Sequence, residues 1–321
     1  MHILIIGAGA LGGLFAGLLA PVANVSLYTT NTAHARAISE NGLLLTGADG
    51  KLRRTAPVVL TDLDRAAESA DLLLFCVKAH ATAQAGELAR PLLAPDGLAL
   101  TLQNGLANLE CLQAVFGTDR VMAGTTAQAA TLLGPGRVRH AGTGPTLLGP
   151  APGQRERAAA VAELFNRAAI PTQLHEDVQA LLWSKLIVNV GINALAALLR
   201  TPNGALAAVP ECDLLLSQAV AEAVAVAQAL RIDLDYPAQL DRVRAVCAAT
   251  AANRASMLQD ILRGAPTEID VINGAVVARG QETGVATPVN LLLTQLVKAL
   301  EATASQRVQP SAEEMPCHTT S

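Results

Sequence analysis

Residues 2–13 read HILIIGAGALGG. Four β-branched or leucine side chains in the first five residues make a short apolar strand, and the glycines that follow turn it into a helix that starts near Leu11. In that context Gly7-Ala8-Gly9-Ala10-Leu11-Gly12 has a definite physical reading. Gly7 allows the tight turn, Gly9 lets the backbone approach a pyrophosphate, and Gly12 permits close packing of the helix. The N-terminus of the helix then supplies N–H groups and partial positive charge for phosphates. The plainer alternative is a glycine-rich turn without a ligand. The elements that follow weigh against it.

Strand-like runs recur at 24–28, 72–77 and 98–102, with helical patterns beginning at Leu11, His80 and Leu106. Alternating strands and helices imply right-handed crossovers and a mostly parallel sheet. Two hairpins are expected within this order: 42–46 with 53–60 around Gly47-Ala48-Asp49-Gly50, and 136–141 with 146–149 around Gly142-Thr143-Gly144-Pro145. After about Glu176 strand signals cease. Helices are expected at 178–200, 211–230, 237–250, 255–262, 267–283 and 288–302. The organisation predicted is an α/β Rossmann-type dinucleotide-binding domain over 1–176, an all-α substrate and catalytic domain over 177–304, and a polar, proline-broken, disordered tail over 305–321. A small ligand would sit in the cleft between two such domains.

Composition narrows the class. At 321 residues the chain is long enough for two cores. Net charge is −4 and only 2% of residues are aromatic, so neither a phosphate-tracking surface nor a base-stacking platform is present, and nucleic acid is excluded as a partner. The five cysteines (Cys76, Cys111, Cys212, Cys247, Cys317) are scattered and read as reduced thiols of a cytoplasmic protein. No His or Cys spacing suits a metal, and no Gly-x-Ser-x-Gly turn occurs. Two apolar stretches mimic membrane segments. The N-terminal one lacks a positive leader and is broken by glycines; the one at 181–199 carries Lys185, Asn189 and Asn193, and a central lysine costs about 3 kcal/mol on insertion scales. No membrane partner is expected.

Lys185, Asn189 and Asn193 lie four residues apart, on one face of a helix that is otherwise apolar. A lysine on a buried helix needs a partner or a polar cavity, so the stripe reads as one wall of a wet functional cleft. The alternative is a lysine whose ammonium snorkels to the surface beside two asparagines that satisfy loops. The chemistry suits carbonyl reduction: as hydride reaches a ketone carbon, an ammonium stabilises the charge building on oxygen and delivers a proton.

With these residues in order, the chain resembles the ketopantoate reductase (2-dehydropantoate 2-reductase) family. The resemblance rests on the Gly7 to Gly12 fingerprint, Val77-Lys78-Ala79, Gln103-Asn104-Gly105, Ala123-Gly124-Thr125-Thr126, Trp183-Ser184-Lys185-Leu186 with Asn189 and Asn193, Pro202-Asn203-Gly204, Ser256-Met257-Leu258-Gln259-Asp260, and Thr267-Glu268-Ile269-Asp270 before Ile272-Asn273-Gly274. It implies a helical domain like the C-terminal domain of 6-phosphogluconate dehydrogenase, with NADP(H) as cofactor and a small 2-oxo acid as substrate. Lys185 and Glu268 would be catalytic, Lys185 as proton donor. Asn104, Asn189, Asn193, Asn203 and Ser256 would hold the oxo acid. Gly7, Ala8, Gly9, Ala10, Leu11, Gly12, Thr30, Asn31, Lys78, Asn104, Ala130 and Glu268 would hold the cofactor. Thr30 departs from the pattern, since family members often carry an arginine there for the 2′-phosphate. Arg36 lies close enough in sequence to reach round to it. A reductase of another 2-oxo or 3-hydroxy acid and a non-catalytic NADP(H) sensor stay open, as does the choice between monomer and homodimer.

Overall fold

A computed structural model describes residues 1–66 and 68–306. The chain separates into two compact units: residues 1–187 with 227–235, and residues 188–226 with 236 onward. The division runs through two long helices, at residues 187/188 and 226/227.

In the first unit, β1 (His2–Ile6), α1 (Ala10–Leu19), β2 (Asn24–Tyr28) and α2 (Thr32–Asn41) follow the expected alternation. Next come β3 (Leu43–Thr46), β4 (Leu52–Thr55), β5 (Val58–Leu60), β6 (Ala70–Phe75), α3 (Thr82–Ala89), β7 (Leu93–Thr101), α4 (Ala107–Phe116) and β8 (Val121–Thr126). The unit is completed by β9 (Ala129–Gly134), β10 (Arg137–Gly142), β11 (Thr146–Gly149), α5 (Arg155–Arg167), β12 (Thr172–Leu174) and the first half of α6 (Val178–Leu199). The main sheet has the order β12-β11-β8-β7-β6-β1-β2-β5. β1 is an interior strand, and Ile3, Leu4, Ile5 and Ile6 are all buried, as expected of a strand covered on both faces. From β1 the chain builds β2 on one side and β6 on the other, so the reversal of strand order falls beside β1. In open α/β sheets ligands bind at the carboxyl ends of strands at such a point.

A second sheet, β4-β3-β10-β9, packs on α1. The approach is close: a Cβ on Gly13 would come within 2.8 Å of Val138 Cγ2, and one on Gly17 within 3.0 Å of Leu45 Cδ2. This sheet corrects both expected hairpins. β3 and β4 do pair antiparallel, but the run 53–60 breaks at Pro57, which has no N–H for a ladder, and β5 crosses to the edge of the main sheet beside β2. β10 and β11 do not pair at all. β10 lies antiparallel to β9 and parallel to β3, whereas β11 lies antiparallel to β8 in the main sheet. The Gly142 to Pro145 stretch is a passage between sheets.

The second unit holds the rest of α6, α7 (Asn203–Ala208), α8 (Pro210–Ala229) up to Val226, α9 (Tyr236–Ala249), α10 (Ser256–Arg263), α11 (Asn273–Thr283) and α12 (Pro288–Ala302). The helix expected over 267–283 is broken: a 3-10 turn (Ile269–Val271) precedes α11, and Ile272 between them is non-helical at φ −108°, ψ −91°. α12 begins at Pro288, where the Glu222 carboxylate accepts from Val289 N (2.8 Å) and Asn290 N (2.9 Å), capping the helix from α8. Asn290 Nδ2 donates to Ala219 O (3.0 Å), and Asn273 Nδ2 to Asn290 Oδ1 (3.0 Å), so one buried polar chain fastens α8, α11 and α12. α6 and α8 are long and apolar enough to cross a membrane, but 78% of the apolar window of α6 is buried inside the protein. Of the tail expected to be disordered, Ser305 and Gln306 close a 3-10 turn (Ala304–Gln306), and the remainder lies outside the described residues.

Candidate active site

The glycine turn after β1 is anchored by Gly7 N–H, which donates to Tyr28 O at 3.0 Å. Gly7 has φ +109°, and a Cβ there would lie 2.8 Å from Val77 N. A Cβ on Gly12 would stand 1.8 Å from the Gly7 carbonyl oxygen. Gly9 differs. Its added Cβ would meet nothing within 4 Å, so this glycine fronts open space. The first turn of α1 carries no acidic residue, and its N-cap, Gly9, has no side-chain capping bond. Open space against the N–H groups and positive end of a helix is a cradle that fits a pyrophosphate. Ala8 is buried in the turn, and the half-buried Ala10 and Leu11 open α1. Beside the turn, desolvation pushes the Cys76 thiol up to about 12, so it is a neutral neighbour rather than a nucleophile.

At the end of β2, Thr30 is exposed and Asn31 caps α2, its Oδ1 accepting from His34 N at 2.9 Å. Arg36, expected to reach round to a 2′-phosphate, instead pairs with Glu40 on the same helix at 2.8 Å. Both are well exposed, and such pairs are worth at most about 1 kcal/mol, so a competing anion could draw the guanidinium away.

The loops after β6 and β7 are fastened to each other by a buried network. Gln103 Nε2 donates to Val77 O (2.7 Å) and to Thr82 Oγ1 (2.8 Å), and Gln103 Oε1 accepts from Thr101 Oγ1 (2.9 Å). Thr82 Oγ1 donates to Asn108 Oδ1 (2.8 Å), whose Nδ2 donates to Asn104 O (2.7 Å). Val77-Lys78 and Gln103-Asn104-Gly105 are therefore positioned as one piece. Thr82 and Asn108 escape sequence reading; the only signal is a polar residue on the buried side of each following helix.

Lys185 stands in a cleft of this same unit, lined by Asn104, Gly105, Gly124, Thr125 and the flanking Leu182 and Leu186. Its Nζ donates to the Thr126 carbonyl at 2.5 Å. The first unit thus gathers Lys185, Asn104 and Gly105 around one cleft. Ala130 lies on β9 in the second sheet, and Lys78 precedes a 3-10 turn after β6.

Farther along α6, Asn189 is half-buried, and Asn193 is buried with no partner for Nδ2. In the second unit Asn203 is buried at the start of α7; its Nδ2 donates to Thr250 Oγ1 (2.9 Å) while Oδ1 has no partner. Ser256 is exposed at the first position of α10, and Glu268 is the N-cap of the following 3-10 turn with no side-chain capping bond. Close in sequence to Asn203 and Ser256 is a surface cavity bordered by Arg200, Pro202, Arg254 and Leu258. The two arginines were not anticipated; they give this cavity a cationic rim. Among the described residues no three His, Cys, Asp or Glu side chains gather as a metal-ligand set.

The chain is similar to known proteins along nearly all of its length. Residues 3–153 match the family model described as ketopantoate reductase PanE/ApbA, and residues 177–301 match its C-terminal counterpart. It is 40% identical over 302 residues to the 2-dehydropantoate 2-reductase of Halobacterium salinarum, covering 93% of this chain and 98% of that one. The enzyme of the same name from Pyrococcus abyssi is 35% identical, covering 94% and 98%. Among solved structures, a PanE/ApbA family ketopantoate reductase from Ralstonia eutropha superposes with TM-score 0.87 at 32% identity, covering 95% of this chain and all of that one. A D-mandelate dehydrogenase bound to NADH and anilino(oxo)acetate superposes with TM-score 0.90 at 27% identity, covering 95% and 99%.

Proposed function

The chain belongs to the ketopantoate reductase family, and from that premise we infer an oxidoreductase that reduces the ketone of 2-dehydropantoate to (R)-pantoate, using NADPH in preference to NADH. The observation that carries the reading is Lys185, an ammonium in a cleft bordered by Asn104 and Gly105, with Nζ directed by its bond to the Thr126 carbonyl.

When bound, a reduced nicotinamide dinucleotide supplies the hydride. Gly7 to Gly12 hold its pyrophosphate, Thr30 and Asn31 meet the ribose, and Lys78, Asn104, Ala130 and Glu268 make further contacts. Lys185 Nζ stabilises the charge building on the ketone oxygen and hands it a proton, a contribution of about 10²- to 10⁴-fold. Glu268 is the second ionisable group of the set. Asn104, Asn189, Asn193, Asn203 and Ser256 orient the oxo acid. The unpartnered Asn193 Nδ2 and Asn203 Oδ1 support this, because a buried polar atom without a protein partner is left to bond water or a ligand. The partner this reading requires is a small-molecule 2-oxo acid. The product leads toward pantothenate and coenzyme A, and the free thiols of Cys76, Cys111, Cys212 and Cys247 suit the cytoplasm.

The test is oxidation of NADPH, and separately of NADH, by purified protein with 2-dehydropantoate and a panel of other 2-oxo acids. Highest kcat/KM with 2-dehydropantoate and NADPH is the expected result. A second reading is favoured by the likeness to an NADH-bound D-mandelate dehydrogenase: a reductase of a bulkier 2-oxo acid with NADH. Benzoylformate outpacing 2-dehydropantoate would establish it, and cofactor binding without turnover on any acid would leave a sensor.

A further inference from the structure

The Thr126 carbonyl that receives the Lys185 ammonium belongs to the peptide joining Thr126 to Ala127, and the other end of that peptide is bound as well: Ala127 N–H donates to Pro145 O at 2.9 Å. A trans peptide points its C=O and N–H in opposite directions, so fixing the N–H on Pro145 fixes the carbonyl on the side of Lys185. A lysine ammonium rides on a long flexible stem and is aimed only by what accepts from it. By itself this anchor is weak. The β8–β11 ladder closes with the pair Thr126 and Thr146, and the Ala127 to Pro145 bond lies beyond its last rung, where ladders open most readily. Pro145 also ends the Gly142 to Pro145 passage between the two sheets.

Gln128 supplies the missing hold. It is buried between β8 and β9, its backbone N–H donates to Thr126 Oγ1 (3.2 Å), and that hydroxyl pairs with Thr146 Oγ1 (2.8 Å). Its side-chain Nε2 donates to Gly144 O at 2.5 Å. A backbone carbonyl only accepts, so the amide turns Nε2 to Gly144 and Oε1 to His140, whose Nε2 is then the donor across 2.7 Å. His140 stands on β10, so the second sheet braces the amide. The passage lies hard against the peptide it steadies: a Cβ on Gly144 would come within 2.6 Å of Ala127 Cβ. We propose that Gln128, oriented by His140, is a positioning residue for Lys185. Holding the Gly144 carbonyl keeps Pro145 in place to accept from Ala127, and the Thr126 carbonyl stays aimed at Nζ. Every residue of this relay lies in the first unit. The role rests on reading Lys185 as the proton donor.

Gln128→Met keeps the length of the side chain and removes both amide bonds. Single-turnover oxidation of NADPH by 2-dehydropantoate on the full chain should slow about tenfold in this variant, the scale of one or two lost hydrogen bonds, with the Kd for NADPH within about twofold of the parent. A misfolded fraction would lower the amplitude and leave the rate constant alone. The solvent deuterium isotope effect on that rate should rise, because a misdirected ammonium slows proton delivery and makes it more limiting. His140→Phe should slow the turnover about threefold, and His140→Gln, which carries an amide N–H out toward the Nε2 position, should return it to within about 1.5-fold of the parent. An unchanged rate in Gln128→Met overturns the proposal, and so does a slower rate with a parent-like isotope effect. Equal slowing in the two His140 variants, the mark of a packing role, also overturns it. Where Gln128→Met does not fold, hydrogen exchange at Ala127 N–H decides: it should be at least about threefold faster in His140→Phe than in the parent, and equal rates overturn the proposal. An active Lys185→Ala removes the proton-donor reading and this inference together, whereas an inactive one beside a parent-like Gln128→Met removes only the role of Gln128.

Discussion

At the turn after β1 the groups that matter are backbone N–H groups and absent Cβ atoms; on α6 they are the tips of long polar side chains. Gly7 and Gly12 tolerate almost no change because backbone bounds them, as the 1.8 Å from a Gly12 Cβ to the Gly7 carbonyl oxygen makes plain, whereas Gly9 faces open space. The helix is different: its fold is set by Trp183, Leu186, Ile187 and Val190, all buried, and the polar face stands apart from that packing. Substitution should therefore tangle stability with binding at the turn and separate folding from chemistry on the helix.

Lys185→Ala gives the largest expected effect. It should lower kcat by at least about a hundredfold while leaving cofactor Kd within about threefold, read by steady-state kinetics and nucleotide fluorescence. Near-normal turnover in a folded variant would make α6 a scaffold and collapse the contrast. The turn offers an internal control. Gly12→Ala should cost about 3 kcal/mol in urea unfolding and weaken cofactor binding together, because the Gly7 carbonyl must move. Gly9→Ala should change stability by less than about 0.5 kcal/mol and still weaken binding, since its methyl enters only open space. Equal stability losses in the two would show that the turn is not split between structure and ligand.

Thr82→Val keeps the shape of a fully buried side chain but leaves Gln103 and Asn108 each short of a partner. A loss of about 1–3 kcal/mol in unfolding free energy, with a raised substrate KM, would put the strand-end loops in the same class as the turn. The smallest effect belongs to an ion pair between α8 and α9. Arg244 donates to Asp213 (2.8 and 2.5 Å) and holds its carboxyl below the usual carboxylate range. Because the folded pKa is depressed, the pair's contribution is present above the unfolded value, near 3.9, and is lost as pH falls through the folded one. Asp213→Asn should cost no more than about 1 kcal/mol at neutral pH, and the gap from the parent should close on acidification below about pH 4.

What could be read from sequence follows the same division. The glycine turn was legible because strand, turn and helix are contiguous and each residue type is demanded locally. The Lys185, Asn189, Asn193 face was legible because helical periodicity needs no knowledge of the partner. The destination of a strand was not. β10 and β11 look like a hairpin across Gly142 to Pro145, yet their pairing depends on β3 and β8, about 90 and 20 residues away in sequence. The Gln103 network and the amide of Gln128 were hidden for the same reason, since each joins single residues from separate elements through unremarkable positions such as Thr82, Asn108 and Gly144.

The first unit is not one continuous stretch: it takes in residues 1–187 and then 227–235, after the chain has run through α7 and most of α8. On the ribosome this fixes an order of events. Synthesis of residues 188–235 takes roughly 2–10 s at about 5–20 residues per second. For that interval the first unit lacks residues 227–235, and the surface they will cover stays open to chaperones and to other chains.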